Sequence, residues 1–151
     1  MSGYGPIAAE LSRYNQWQNE KLFGVLAALP PEELTRDRGM FFGDMLATLD
    51  HILMVDSYIF GWINGIAPPP FDAKARIETE FENLRAARVG LDARLRLSCE
   101  TAETDWFDEE IVMPSGRPLP RRFSCPPLFT HGPPHRSHLT PALTHLGTSS
   151  A

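Results

Sequence analysis

Several features that mark other classes of protein are missing from this sequence. It has 151 residues and only two cysteines, Cys99 and Cys125, which are far apart and lack metal-ligand spacing. A disulfide framework is therefore not expected, and we interpret both as buried free thiols. No basic block exceeds the Arg121-Arg122 pair, and the formal net charge is −5. This charge balance excludes a field that would attract nucleic acid or an anionic membrane.

Long apolar runs and a secretory leader are missing too. Charged residues interrupt the apolar stretches well short of the roughly 20 residues that span a bilayer. The first residues lack a basic region followed by an apolar run, so no signal peptide is predicted. These absences predict a cytoplasmic protein that acts without membrane or nucleic-acid partners.

The sequence also lacks three common catalytic patterns. It has no Ser/His/Asp arrangement, no glycine-rich phosphate loop and no paired-carboxylate motif. Its composition, with 42% hydrophobic and 22% charged residues, is that of an ordinary globular protein. A chain of this length suffices for one core but not for two, so residues 1–151 are predicted to form a single domain.

Apolar residues recur at helical spacing in three long segments. The predicted helices run from Ile7 to Leu29, from about Gly43 to Asn64 and from about Ala73 to Ser98. The second helix has the broadest apolar stripe and is predicted to be central, whereas the third is mostly polar and is predicted to be an outer helix.

Two of these stripes predict specific buried faces. The first helix is expected to bury Ile7, Leu11, Tyr14, Trp17, Leu22, Val25, Leu26 and Leu29. The third helix is expected to bury Ile77, Phe81, Leu84, Val89, Leu91 and Leu95. Both buried faces are predicted from apolar residues alone.

The pattern changes after the third helix. The β-branched run Ile111-Val112-Met113 precedes a Pro/Gly turn and predicts a small extended hairpin, although Pro118 and Pro120 make its second arm a poor strand. A further helix is expected from about residue 124. Three long amphipathic helices with room for a fourth predict an all-α four-helix bundle with a small hairpin before the last helix.

Histidine offers the clearest chemistry. The five histidines are His51, His131, His135, His138 and His145. On a helix, His131 and His135 would lie on one face about 5–6 Å apart at Cβ, a separation that suits two ligands of one ion. His138 falls nearly on the same line. His51 interrupts the apolar stripe of the second helix, where composition alone favours an ordinary core or boundary histidine over a ligand.

Three stretches of the sequence, in order, resemble the motifs of one family. Tyr14-Asn15-Gln16-Trp17-Gln18-Asn19 is similar to a Y-N-x-W-x-N opening. Thr48-Leu49-Asp50-His51-Ile52-Leu53 is similar to an L-x-H-I-L segment, and Leu128-Phe129-Thr130-His131-Gly132-Pro133-Pro134-His135-Arg136-Ser137 to an L-F-N-H-x-T-H-H-R-G stretch. Residues 7 to about 147 thus resemble the DinB-like (DinB/YfiT) family of small metal-binding four-helix proteins.

The resemblance implies an up-down-down-up bundle, often a homodimer, whose zinc or nickel ion is held by three histidines with water in the open positions. Carried over by position, the ligands are His51, His131 and His135. Relatives with an activity resemble S-transferases that use low-molecular-weight thiols, and others are described as hydrolases. The resemblance therefore implies a small-molecule substrate and no catalytic group beyond a water or thiol held by the ion.

Three charged residues near these motifs are candidate helpers of the site. Asp50 has a possible role in orienting a ligand, but a solvated charge is the preferred interpretation. Asp56 and Arg136 have a possible role in binding an anionic substrate, but ordinary surface ion pairs are preferred.

The sequence departs from the family pattern between two of the ligands. Pro133 and Pro134 stand where relatives are helical, and a proline inside a helix costs about 3 kcal/mol. A kinked or unwound helix is therefore expected, and His131 and His135 then need not face the same ion. Many of these departures look like His or Thr replaced by Pro through one base substitution. Two explanations of the prolines are therefore open: an error in the written sequence, or a decayed gene. Intact-mass spectrometry separates them.

Two functions remain open at this point. The first is a metal-dependent thiol S-transferase or hydrolase that uses the three-histidine site. The alternative is a non-catalytic dimeric helical bundle whose metal site is weakened or lost. The sequence selects neither the metal nor the substrate.

Overall fold

Helices make up most of the regular structure in the computed structural model of the chain, which describes residues 3–66 and 71–147. The longer helices are α1 (Tyr4–Ala27), α3 (Met45–Ile63) and α4 (Phe81–Thr101), and the shorter ones are α2 (Pro31–Leu34), α5 (Arg121–Ser124), α6 (Pro126–Thr130), α7 (Gly132–Ser137), α8 (Leu139–His145) and a 3₁₀ turn (Thr104–Phe107). The predicted all-α class is confirmed. Within the described ranges, no helix is both long enough and apolar enough to cross a membrane.

The hairpin lies where it was predicted. Strands β1 (Glu110–Val112) and β2 (Pro118–Pro120) pair antiparallel, with Ile111 opposite Leu119. Gly116 adopts a positive φ of 80° in the turn, a conformation that favours glycine. The Trp62 indole donates to the carbonyl of Val112 at 2.9 Å, which fastens the hairpin to α3.

The central position predicted for the second helix is confirmed. The side chain of Asp44 caps α3 by accepting a hydrogen bond from the Ala47 amide at 2.7 Å. Residues around most of the helix circumference are buried, among them Met45, Leu46, Leu49, Ile52, Leu53 and Ile63. α3 packs against α4, α6 and α7.

The buried face of α1 differs from the predicted one. Ile7, Tyr14 and Trp17 are about half exposed, at 55%, 54% and 48%. Of the predicted residues, Leu26 is buried, and Leu11, Leu22, Val25 and Leu29 are partly buried against the core. The other buried residues were not predicted, namely Ala8, Ser12, Asn15, Asn19 and Phe23. Asn15 and Asn19 are buried because α4 and α7 supply hydrogen-bond partners, which offset the cost of removing the amides from water.

α4 begins eight residues later than the predicted start at Ala73. The cause is Asp50, whose side chain is fully buried and accepts from the amides of Ile77 at 3.1 Å and Glu78 at 2.7 Å. These bonds hold the chain in a non-helical path before Phe81. The preferred interpretation of Asp50 as a solvated charge was therefore wrong.

The inward face predicted for the third helix was wrong at two positions. Ile77 precedes α4 and is 47% exposed, and Val89 is 56% exposed. Charged residues occupy buried positions on α4 instead, namely Arg88 and Asp92. Both are paired, as described below.

Apolar side chains form two buried clusters. One joins residues of α1 to α4 and of α8 and consists of Phe23, Leu26, Leu34, Met45, Leu46, Leu49, Ile52, Leu53, Leu84, Leu91, Leu139, Ala142 and Leu143. The other lies near the hairpin and consists of Ala8, Ile63, Leu95, Cys99, Phe107, Cys125, Leu128 and Phe129. Both cysteines are buried free thiols, as predicted.

The C-terminal stretch is a series of short helices, and its prolines explain the divisions. The prolines in the first turns of α6, α7 and α8 are Pro126, Pro127, Pro133, Pro134 and Pro141. A first-turn residue needs no intrahelical N–H bond, so proline is tolerated there. The junction residues Cys125, His131 and His138 keep right-handed helical dihedral angles. The expected disruption is present, but the helical path continues through it.

Candidate metal centre

Three histidines from two distant parts of the chain meet at one place. His51 lies on α3, His131 at the junction of α6 and α7, and His135 on α7. One ring nitrogen from each lies within 4.8 Å of the others. The ring centroids of His131 and His135 are 4.6 Å apart, and that of His51 lies 5.4 Å from His131 and 5.1 Å from His135. The structure thus brings together all three predicted ligands.

The prolines between two of these histidines do not separate them. His131 has φ −73° and ψ −44°, so the chain passes from α6 into α7 without leaving helical geometry. The spacing of four residues therefore still places His131 and His135 on one face. The question left open by the Pro133-Pro134 pair is thus answered, because the two rings lie on one face with their centroids 4.6 Å apart.

The donor set fits a transition-metal ion. Zinc–nitrogen bonds of about 2.0–2.1 Å put tetrahedral ligand atoms about 3.3 Å apart. Ring nitrogens within 4.8 Å reach that separation by small side-chain rotations. Each ring also has a buried Nδ1 atom that finds no hydrogen-bond partner in the described part of the chain. Since no hydrogen bond holds these rings at Nδ1 within the described residues, each ring can turn to present a nitrogen to one ion.

The electrostatic environment favours the neutral form of the His51 and His135 rings. Burial lowers the pKa of His51 and of His135 from the usual value, and the neighbouring His131 lowers both pKa values further. Neutral imidazole is the form that binds a metal ion. Two ligands are therefore ready to bind near neutral pH without losing a proton.

An aromatic side chain packs against one side of the histidine cluster. The Phe42 ring stacks on His51 with centroids 4.1 Å apart and lies 5.7 Å from the His135 ring. An apolar side chain beside metal ligands limits the access of water. Phe42 was not predicted as part of the site, because it lies in a loop outside every periodic stripe. Its only signal in the sequence is the aromatic pair Phe41-Phe42 next to Gly43.

The remaining histidines lie outside the cluster. His138 and His145 are both exposed. The His138 ring centroid is 5.9 Å from that of His135, but none of its nitrogens joins the set of three.

A buried ion-pair network stands behind the cluster. Arg88 donates to Asp56 Oδ2 at 2.7 Å and to Asp92 Oδ1 at 2.6 Å, and all three side chains are at most 4% exposed. The interpretation of Asp56 as part of a surface ion pair was therefore wrong. Asp56 Oδ1 lies 3.8 Å from His131 Nδ1.

Arg136 continues this network to α1. Its guanidinium donates to the side-chain oxygens of Asn19 at 2.9 Å and Gln18 at 2.8 Å. The amide of Asn19 in turn donates to Asp92 at 2.9 Å. The interpretation of Arg136 as part of a surface ion pair was also wrong, because it fastens α7 to α1 beside His135.

The fold and the site together define a class: an all-helical protein with a three-histidine cluster able to hold a transition-metal ion. A family model described as DinB family matches residues 1–151, and the chain belongs to the DinB family. It is 27% identical over 156 residues to "Protein DinB" of Bacillus subtilis (strain 168), an alignment that covers 96% of this chain and 89% of that protein. No solved structure matches the chain at a significant level.

Proposed function

We propose that the protein binds one divalent transition-metal ion, zinc or nickel, through His51, His131 and His135. With it the protein acts on a small molecule as a metal-dependent thiol S-transferase or hydrolase. The observation that supports this proposal is the convergence of one ring nitrogen from each histidine within 4.8 Å.

The side chains around the cluster suit a reactive rather than a structural centre. Three neutral imidazoles hold a divalent ion without neutralising its charge and leave at least one coordination position open. When bound, such an ion acts as a Lewis acid and lowers the pKa of a thiol or water beside it. Phe42 keeps one side of the cluster apolar, so a substrate would approach from the other side. A low-molecular-weight thiol is the proposed co-substrate on the basis of the family resemblance.

We extend the proposal to the architecture and assembly. α1, α3, α4 and the α5–α8 series would form a single four-helix bundle in the up-down-down-up order. The bundle would be a cytoplasmic homodimer. The packing of α1 against α4 and of α3 against α4 and α7 supports the bundle.

Elemental mass spectrometry of untagged protein, purified without chelator, tests the metal site. About one ion per chain is expected for the wild type, and loss of the ion is expected in His51→Ala and His135→Ala. His145→Ala is the matched control, because His145 is exposed and lies outside the cluster. A folded wild type that takes up neither zinc nor nickel would favour the non-catalytic bundle.

Activity is tested separately on the metal-loaded protein. Transfer of a small thiol to an electrophilic substrate and hydrolysis of an ester or amide are measured with the ion present and after its removal by a chelator. The enzyme proposal predicts turnover that disappears on metal removal and returns on metal addition. Metal-independent turnover would contradict it.

A further inference from the structure

Two buried polar atoms beside the cluster face each other without a partner. Asp56 lies on α3 with its side chain 2% exposed. Its Oδ1 atom and the Nδ1 atom of His131 are 3.8 Å apart. Neither atom finds a hydrogen-bond partner among the described residues. A carboxylate oxygen only accepts hydrogen bonds, whereas an imidazole nitrogen either donates or accepts, so the pair is complementary when the proton is on Nδ1.

We propose that Asp56 is a positioning residue that sets the tautomer of His131. Its Oδ1 atom accepts a hydrogen bond from Nδ1–H, which leaves the Nε2 lone pair for the metal ion. A carboxylate or carbonyl oxygen behind the ligand is the usual partner of a metal-binding histidine. The gap of 3.8 Å exceeds a charge-assisted hydrogen bond by about 1 Å, which a small rotation of the ring closes.

Arg88 holds the carboxylate of Asp56 in place for this role. It donates to Oδ2 at 2.7 Å and to Asp92 at 2.6 Å, so its planar fork is fixed on two buried carboxylates. Oδ2 is thereby occupied, and Oδ1 is the oxygen directed toward His131. The role of Arg88 is to fix this orientation from α4.

The substitution Asp56→Asn gives a sharp test, because Arg88 can only donate. The carbonyl oxygen of the substituted side chain would have to face Arg88, and its NH₂ group would then face His131. The Nδ1 atom would become an acceptor and the proton would move to Nε2, which is the reverse tautomer. Affinity for Zn²⁺, measured by competition with a chromophoric chelator, is expected to fall about 10-fold to 100-fold.

Asp92→Asn is the matched control for lost stability. It removes the same charge and disrupts the other carboxylate that pairs with Arg88, but the described residues show no hydrogen bond or ion pair between Asp92 and His131. The melting temperature is expected to fall in both variants. Zinc affinity is expected to fall only in Asp56→Asn, and equal losses in the two folded variants would overturn the proposal.

The tautomer is also measured directly on metal-free wild type, which needs no variant to fold. Long-range ¹H–¹⁵N correlation spectra at about pH 8, where imidazoles are neutral, are expected to show the proton on Nδ1 of His131. A proton on Nε2 would overturn the proposal. The role of Asp56 rests on the proposed metal site, because the tautomer matters only if His131 binds an ion. A wild type that binds no zinc would contradict the metal site alone, since the spectra of the metal-free protein still test whether Asp56 sets the tautomer.

Discussion

The substitution Asp50→Ala removes the acceptor that sets the start of α4. The carboxylate is fully buried and accepts from the amides of Ile77 and Glu78 and from Arg76 Nε at 3.1 Å. Truncation leaves two backbone N–H groups without this acceptor and opens a small cavity beside α3. The variant therefore tests whether a buried charge, rather than helix propensity, keeps residues 76–78 out of the helix.

The expected loss of stability follows from these contacts. Each hydrogen bond to a charged acceptor contributes about 1.5–3 kcal/mol, and the values do not add fully. Ile77 is 47% exposed, so water can reach the freed amides and offset part of the loss. We expect the free energy of unfolding to fall by about 2–4 kcal/mol. For a chain of this length the melting temperature should fall by about 5–15 °C.

Urea unfolding followed by circular dichroism measures this loss, and limited proteolysis reports on the segment before α4. Arg76→Ala is the control, because the Arg76 side chain is 36% exposed and its ion pair is expected to contribute about 1 kcal/mol or less. Faster cleavage within residues 71–80 is expected in Asp50→Ala. A loss within about 0.5 kcal/mol, the range of ordinary surface substitutions, would refute the reasoning.

Two further predictions concern a glycine and the thiols. A Cβ atom at Gly132 would lie 2.6 Å from Arg136 Nη1, so Gly132→Ala should displace the guanidinium and lower the free energy of unfolding by about 1–3 kcal/mol. Gly24→Ala is the control, because Gly24 has open space in α1, and it should raise the free energy of unfolding by about 0.5–1 kcal/mol. Similar gains in both variants would contradict the predicted clash. Burial raises the pKa of Cys99 to about 11 and that of Cys125 to about 12, so neither thiol should react with a thiol reagent near pH 8 until the protein unfolds. Rapid labelling of the native protein would contradict this prediction. Above about pH 9 the unfolded chain loses thiol protons that the folded protein keeps. The free energy of unfolding should therefore fall with rising pH, by on the order of 1 kcal/mol per pH unit for each thiol. In a double variant with Cys99→Ala and Cys125→Ala, the free energy of unfolding should fall less steeply with pH.

Local patterns in the sequence predicted the helices better than they predicted the buried faces. The stripe of α3 is apolar over most of its circumference, so the prediction of a central helix did not depend on any partner. On α1, the apolar pattern included Ile7, Tyr14 and Trp17, which are about half exposed. It omitted Asn15 and Asn19, whose buried amides are hydrogen-bonded to residues of α4 and α7. Apolar periodicity does not record such distant hydrogen bonds.

For the candidate site, the sequence predicted the metal ligands but not the contacts that surround them. The spacing of His131 and His135 and the resemblance to family motifs pointed to the three histidines. The sequence pointed to Asp56 but not to its contact with His131, and it did not point to Phe42, because both contacts depend on how α3, α4 and the loop before α3 pack.

By itself the sequence determined most of the helical segments and the hairpin with its turn, because these depend on neighbours within a few residues. It left open whether His131 and His135 face one ion, because of the prolines between them. Only the tertiary structure decided that His51 meets the other two histidines and that Asp50 and Asp56 are buried. The physical reason is that a buried charge is stable only where distant donors replace its water, and those donors are brought near by the fold.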